Sequence, residues 1–205
     1  PSESVRISCS QDYLERAKYR VSKQIEQATA KRERELEVQY EPRFPYESGP
    51  REYQRQAFEN WKANGQQGLF AMATGTGKTI TSLNCLLEIY KRTGYYKAII
   101  LVPTITLVNQ WESECRKFNF NTILKVSGSN SDWREELGSI KAAEQLDTTG
   151  KSVSYVIICT YASFAKPAVF DKLNSLSRNR LLLIADEAHN MGSRQLMKKL
   201  GDITY

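Results

Sequence analysis

Apolar residues change their spacing near residue 50, and the change divides the chain. Over residues 11–40, Leu14, Ala17, Val21, Ile25, Ala28 and Leu36 recur mostly at steps of three or four, with Arg, Lys and Glu between them. That spacing lays one apolar seam on an otherwise solvated helix. Glu33, Glu35 and Glu37 interrupt the bases, so the stretch reads as an accessory or linker helix rather than a basic nucleic-acid arm. Its seam is short for a coiled coil. Pro42, Pro45, Gly49 and Pro50 then break any helix. The expected organisation is an N-terminal helical and linker segment over 1–49 and a main domain over 50–205.

From Arg51 onward, short apolar runs alternate with amphipathic stretches. Strands are predicted at GLFAM (68–72), KAIILVP (97–103), NTILKVS (121–127), SYVIICT (154–160) and RLLLIADEAHN (180–190), the last running into acid. Helices are predicted over 52–63, 78–92, 105–118, 131–146, 163–176 and 193–200. Strands that are apolar on both sides belong in a parallel sheet covered on both faces. Alternation with helices gives βαβ units with right-handed crossovers, hence an α/β fold. Ligands on such sheets sit at the carboxyl ends of the strands.

Composition narrows the class. With 205 residues, the chain holds one sizeable domain and an appendage. Lys and Arg number 29 against 23 Asp and Glu, a net +6 that permits a nucleic-acid partner without requiring one. Four cysteines (Cys9, Cys85, Cys115, Cys159) form no CxxC pair, and a single histidine argues against a zinc cluster. Cys85 and Cys159 lie in apolar runs and read as buried thiols in a reducing, cytoplasmic setting. No apolar run approaches the roughly 20 residues of a membrane span. The first residues carry no signal-peptide pattern. The end at Tyr205, shortly after the last predicted helix, suggests a fragment of a longer protein.

Two segments carry chemistry. After Met72 the chain reads Ala73-Thr74-Gly75-Thr76-Gly77-Lys78-Thr79 and enters a helix. Glycines let the main chain curl so that N–H groups converge on phosphate oxygens, and the helix adds its N-terminal partial charge. Lys78 supplies a point charge to the β- and γ-phosphates, and Thr79 a hydroxyl to Mg²⁺. The first position of the general GxxxxGK[ST] pattern is Met72 here, while the GxGKT core is intact. About a hundred residues on, Asp186 and Glu187 end an apolar strand. Carboxylates withdrawn from water need a cation. Asp186 would hold Mg²⁺ opposite Thr79, and Glu187 would orient and deprotonate a water. The plainer alternative is an acidic helix N-terminus.

These motifs, in this order, resemble superfamily 2 helicases and translocases of the DEAD/DEAH-box-like kind, over their first RecA-like domain and roughly residues 50–200. The resemblance implies a RecA-like P-loop NTPase fold. PREYQRQAFENW resembles the adenine-recognising segment, which implies Gln54 and Arg51 on the base; Gln54 as a helix-surface residue is the alternative. MATGTGKT is similar to motif I and places Thr74, Gly75, Thr76, Gly77, Lys78 and Thr79 on the nucleotide. VPTITLVNQW resembles motif Ia, with Pro103 and Thr104 against a nucleic-acid backbone. CTYAS resembles motif Ic, with Thr160 and Ser163 on phosphate, a strand-end cap being the other reading of Thr160. DEAH is similar to motif II, where His189 couples nucleotide to nucleic acid. Phe44 or Tyr46 either stacks on adenine or packs in its proline-rich turn. Trp111 and Trp133 read as packing residues.

The Met-Ala of motif I resembles the restriction-enzyme branch, the helicase subunits of type I and type III restriction-modification systems. That implies an ATP- and Mg²⁺-dependent motor on double-stranded DNA, with nuclease or methyltransferase subunits as partners and no membrane. Motif III and a second RecA-like domain with its arginine finger would follow Tyr205, so the fragment alone would hydrolyse ATP weakly. A second reading from a different class is an NTP-gated nucleic-acid-binding switch without strand separation. A GTPase would need an NKxD motif, and a small-molecule kinase would not need the DEAH segment.

Overall fold

The computed structural model describes residues 3–72, 75–128, 130, 132–147, 153–178 and 180–188, apart from the side chains of 3–12 and 33–39. Thr74, His189 and the helix predicted over 193–200 lie outside the described residues. The chain separates into two units, Pro1–Glu41 and Pro42–Tyr205. The first carries one helix, α1 (Glu3–Tyr40). It begins earlier than the apolar seam indicated, because Val5, Ile7 and Cys9 alternate with a period of two and hid the first turns. Tyr13, Leu14, Tyr19, Val21 and Ile25 on it are exposed. Among the described residues no helix is long and apolar enough to cross a membrane.

Among the described residues of the second unit, four parallel strands form a sheet in the order β2-β3-β1-β4: β1 (Lys97–Val102), β2 (Ile123–Val126), β3 (Tyr155–Thr160) and β4 (Leu181–Ala185). Their register pairs Ile99 with Ile157 and with Leu183. Every residue of β1 and β3 is buried, as a strand covered on both faces requires. Ile99, Leu101, Ile157 and Cys159 face one layer, packing with Trp133 and Leu137 of α5 (Trp133–Leu146), Phe164 of α6 (Tyr161–Phe164) and Leu173 of α7 (Pro167–Asn174). Ala98, Ile100, Val102 and Ile158 face the other, with Leu83 and Leu87 of α3 (Lys78–Thr93) and Trp111 and Cys115 of α4 (Ile105–Lys117). The chain runs outward from β1 to β2 by way of α4, then back across the sheet by way of α5, α6 and α7 on the opposite face. A constant crossover hand demands that switch of face when direction reverses. β1 and β3 are neighbours whose following helices leave to opposite faces, so their carboxyl ends mark the switch point of the sheet.

Two predicted elements differ. Residues 68–72 are not a strand. Their main chain bends, with Met72 N–H donating to the Phe70 carbonyl at 3.0 Å, and Leu69 is 80% exposed. A cavity lies between this segment and β4, so it makes no ladder. The helix predicted over 163–176 is two helices. Lys166 is extended ahead of Pro167, whose ring disfavours a helical residue before it. Helix α2 (Glu52–Ala63) matches its predicted span and packs Phe58 and Trp61 against Cys85.

Candidate nucleotide site

The loop ahead of α3 is shaped by two left-handed residues, Gly75 at φ 80° and Gly77 at φ 87°. Gly77 is also the N-cap of α3, and its carbonyl accepts from Thr81 N–H and Thr81 Oγ1 at 2.9 and 3.0 Å. A Cβ on Gly77 would be strained at that φ and would meet Gln54 Nε2 at 3.4 Å and Tyr53 Oη at 3.6 Å. Helix α2 therefore presses on the loop. It also holds it, because Tyr53 Oη donates to the Thr76 carbonyl at 2.7 Å.

Two cavities flank this loop. One, about 270 Å³, is lined by Phe44, Tyr46, Arg51, Gln54, Gly75, Thr76 and Gly77, among others. Gln54 is buried, so it is not a helix-surface residue; its Oε1 accepts Arg51 N–H at 2.9 Å and caps α2. Phe44 packs edge-on to Phe118, its centroid 5.4 Å away, and Tyr46 is half exposed beside it.

The other cavity, about 520 Å³, is lined by Met72, Lys78, Ser82, Trp111, Asp186 and Glu187 along with apolar residues of 68–71 and β4. Lys78 Nζ lies 3.4 Å from Glu187 Oε1, with both side chains about one third exposed (29% and 33%). Glu187 has φ 50°, a left-handed value uncommon for a residue with a Cβ. Asp186 accepts Trp111 Nε1–H on Oδ2 at 2.8 Å and Tyr161 Oη–H on its main-chain carbonyl at 2.8 Å. Burial first, then the negative charges of Asp186 and Glu187, hold the Tyr161 hydroxyl well above its ordinary range, so it stays a donor. The arrangement sets one cation against two carboxylates beside a curled loop, a donor set suited to a polyphosphate with a divalent cation.

Lys78, Asp186 and Glu187 are thus brought together, as are Arg51, Gln54, Gly75, Thr76 and Gly77. Thr79 is half-buried in the first turn of α3 and lines neither cavity. Pro103, Thr104 and Thr160 lie at the carboxyl ends of β1 and β3, apart from both cavities. Thr104 is exposed and caps α4, accepting Leu107 N–H at 3.3 Å. Thr160 is buried, accepts Ser163 N–H and donates to Ser163 Oγ, which is the strand-end cap. Sequence reasoning missed Tyr53 and Tyr161 and treated Trp111 as packing alone.

Residues 47–204 match the family described as Type III restriction enzyme, res subunit. Putative helicase 22 of Sulfolobus islandicus filamentous virus is 31% identical over 143 residues, covering 68% of this chain and 23% of the relative. The ATP-dependent RNA helicase DBP6 of Candida albicans is 28% identical over 121 residues, 58% of this chain and 18% of the relative. A solved structure, a nuclease-deletion mutant of the Type ISP restriction-modification enzyme LlaGI in complex with a DNA substrate mimic, is similar with a TM-score of 0.54 and 26% identity. The match covers 68% of this chain and 15% of that one.

Proposed function

The chain belongs to the family of type III restriction enzyme res subunits, and on that footing we propose that its second unit is the nucleotide-binding lobe of an ATP-dependent translocase or helicase motor acting on double-stranded DNA. The observation that carries the reading is the meeting of Lys78 with Glu187, 109 residues apart, in the cavity that Asp186 also lines. A strand-to-helix turn with an incidental lysine would give no reason for that convergence.

ATP held here would supply the phosphoryl group, and its Mg²⁺ would supply neutralisation of the charge that develops on transfer to water. The chain's own residues do the rest. Main-chain N–H groups of Thr74 through Gly77 cradle the phosphates, and Lys78 reaches the β- and γ-oxygens. Thr79, in the first turn of α3, and Asp186 would hold the metal, and Glu187 would take the proton of the attacking water. Arg51 and Gln54 meet the base in the smaller cavity. Pro103 and Thr104 follow a nucleic-acid backbone at the carboxyl end of β1, beside the strand-end cap that Thr160 forms, and His189 links the two functions. In this reading a second RecA-like lobe of the full-length protein supplies the arginine, nuclease or methyltransferase subunits act beside it, and the setting is cytoplasmic. DNA is favoured over RNA because LlaGI, a restriction enzyme, is the relative solved with a DNA mimic.

The test uses the full-length protein. Lys78→Ala is expected to abolish ATP binding in calorimetry, and duplex DNA is expected to stimulate ATP hydrolysis by wild type. Unchanged affinity in Lys78→Ala removes the phosphate-loop role. Nucleotide binding without stimulation by DNA or RNA replaces the motor by the NTP-gated switch, and stimulation by RNA alone overturns the DNA assignment.

A further inference from the structure

Asp186 is gripped at three polar atoms. Its N–H donates to the Leu101 carbonyl in β1 at 2.9 Å, its carbonyl takes the Tyr161 hydroxyl, and Oδ2 takes the Trp111 indole N–H. Among the described residues, Oδ1 takes none of these bonds. The two side-chain donors are core residues, 2% and 8% exposed. An indole N–H donates only and is costly to bury unpaired, so Trp111 and Asp186 fix each other.

The origin of these donors matters more than their number. Trp111 stands on α4, about two turns from the Thr104 cap that begins the helix. Tyr161 directly follows Thr160. The two segments that follow β1 and β3 therefore each send one aromatic donor to the same acidic residue. They take different handles. Trp111 orients the carboxylate of Asp186. Tyr161 holds the carbonyl of the 186–187 peptide unit, whose other end is the N–Cα bond about which Glu187 sits at φ 50°. Tyr161 is thus one hydrogen bond away from the peptide that sets the backbone angle of Glu187.

We propose that Trp111 and Tyr161 are positioning residues that couple a nucleic-acid backbone at the carboxyl ends of β1 and β3 to the orientation of Asp186 and Glu187. The proposal rests on the nucleotide-site reading above. A phosphate drawn against Thr104 moves the start of a 13-residue helix, and the helix carries that displacement to the indole as a unit. A contact beside Thr160 reaches Glu187 through a single hydroxyl.

The experiment compares full-length wild type with Trp111→Phe, which loses the N–H, and Tyr161→Phe, which loses only the hydroxyl. Benzothienylalanine at position 111 keeps the bicyclic volume without the N–H and serves if Trp111→Phe does not fold. Two readouts avoid turnover. Mn²⁺ affinity is measured by electron paramagnetic resonance with a non-hydrolysable ATP analogue present. Duplex-DNA affinity is measured by fluorescence anisotropy with and without that analogue, and the ratio gives the coupling. The position-111 variants are expected to weaken Mn²⁺ binding roughly 10–100-fold, the usual cost of losing a partner that orients a metal ligand. Tyr161→Phe is expected to bring the DNA-affinity ratio towards one. General damage to the fold would also weaken metal-free nucleotide binding, which is expected to hold. Wild-type Mn²⁺ affinity in the position-111 variants overturns the Trp111 half, and an unchanged ratio in Tyr161→Phe overturns the Tyr161 half. Lys78→Ala is run in parallel: if it binds the analogue as wild type does, the site reading itself fails.

Discussion

Glu187 has two consequences for a nucleotide, and they have opposite signs. As the proposed base it is needed for turnover. As the partner of Lys78, with Oε1 at 3.4 Å from Nζ, it competes with the triphosphate for the same ammonium. Two unit charges at that separation attract by about 1 kcal/mol in bulk water and about 5 kcal/mol at an effective dielectric of 20. Both groups are about one third exposed, so screening and side-chain entropy reduce the net value to about 0.2–1 kcal/mol, the range of accessible ion pairs. Glu187→Gln keeps the shape and removes the charge. The expected result is an ATP dissociation constant lower by about 1.4- to five-fold, the equivalent of that energy, with hydrolysis lost. Titration calorimetry of the full-length protein gives the affinity, and a phosphate-release assay gives the turnover. The tightening is expected to shrink as salt is raised, because an accessible pair is screened. Unchanged or weaker binding by Glu187→Gln would show that Lys78 is not restrained by Glu187. Retained hydrolysis would remove Glu187 as the base.

Two further outcomes concern the scaffold. Lys97 and Glu144 form a pair at 2.9 Å with side chains only 2% and 7% exposed, and Tyr155 Oη and Ser177 N–H also bind Glu144. Glu144→Ala strands a buried ammonium and is expected to destabilise the second unit by about 3–5 kcal/mol in urea unfolding; a loss below about 1 kcal/mol, the range of exposed pairs, would mean the pair is solvated. Burial pushes the thiols of Cys85, Cys115 and Cys159 up from 9.0 to about 12. Below pH 9.0 both states keep these protons and the thiols contribute no pH dependence; between there and about 12 the unfolded chain alone releases them, so stability falls as pH rises. The urea midpoint is expected to drop above pH 9 and to drop less when the three cysteines are replaced by alanine; buried Tyr155 and Tyr161 act in the same direction.

The fold was legible where a residue run had only one way to be buried. KAIILV and YVIICT have no polar face, so each had to be an interior strand, and both are. GLFAM carries the same local signal and is bent instead, because pairing belongs to the neighbour as much as to the run, and here a cavity separates it from β4. The break between α6 and α7 was readable from Pro167, whose effect on Lys166 is local. For Gln54, the helix surface was the alternative to a base contact, and burial excludes that alternative. Its place three residues after the N-cap was the better signal, since that spacing lets a glutamine side chain reach back to the cap N–H and be buried while satisfied.

The site divides along the same line. The convergence of Lys78, Asp186 and Glu187 was legible because the proposed phosphate and metal chemistry restricts residue type in both motifs. Trp111 and Tyr161 were not, because their bonds to Asp186 span 75 and 25 residues and no local pattern encodes them. Yet each end announced half a bond. A tryptophan on the buried face of α4 has one N–H that must find an acceptor, and an aspartate closing an apolar strand must find donors. Where a helix and a strand already known to share one edge of a sheet each leave such a group over, the simplest way to satisfy both is with each other. That is how an aromatic chosen for packing becomes the residue that aims a carboxylate.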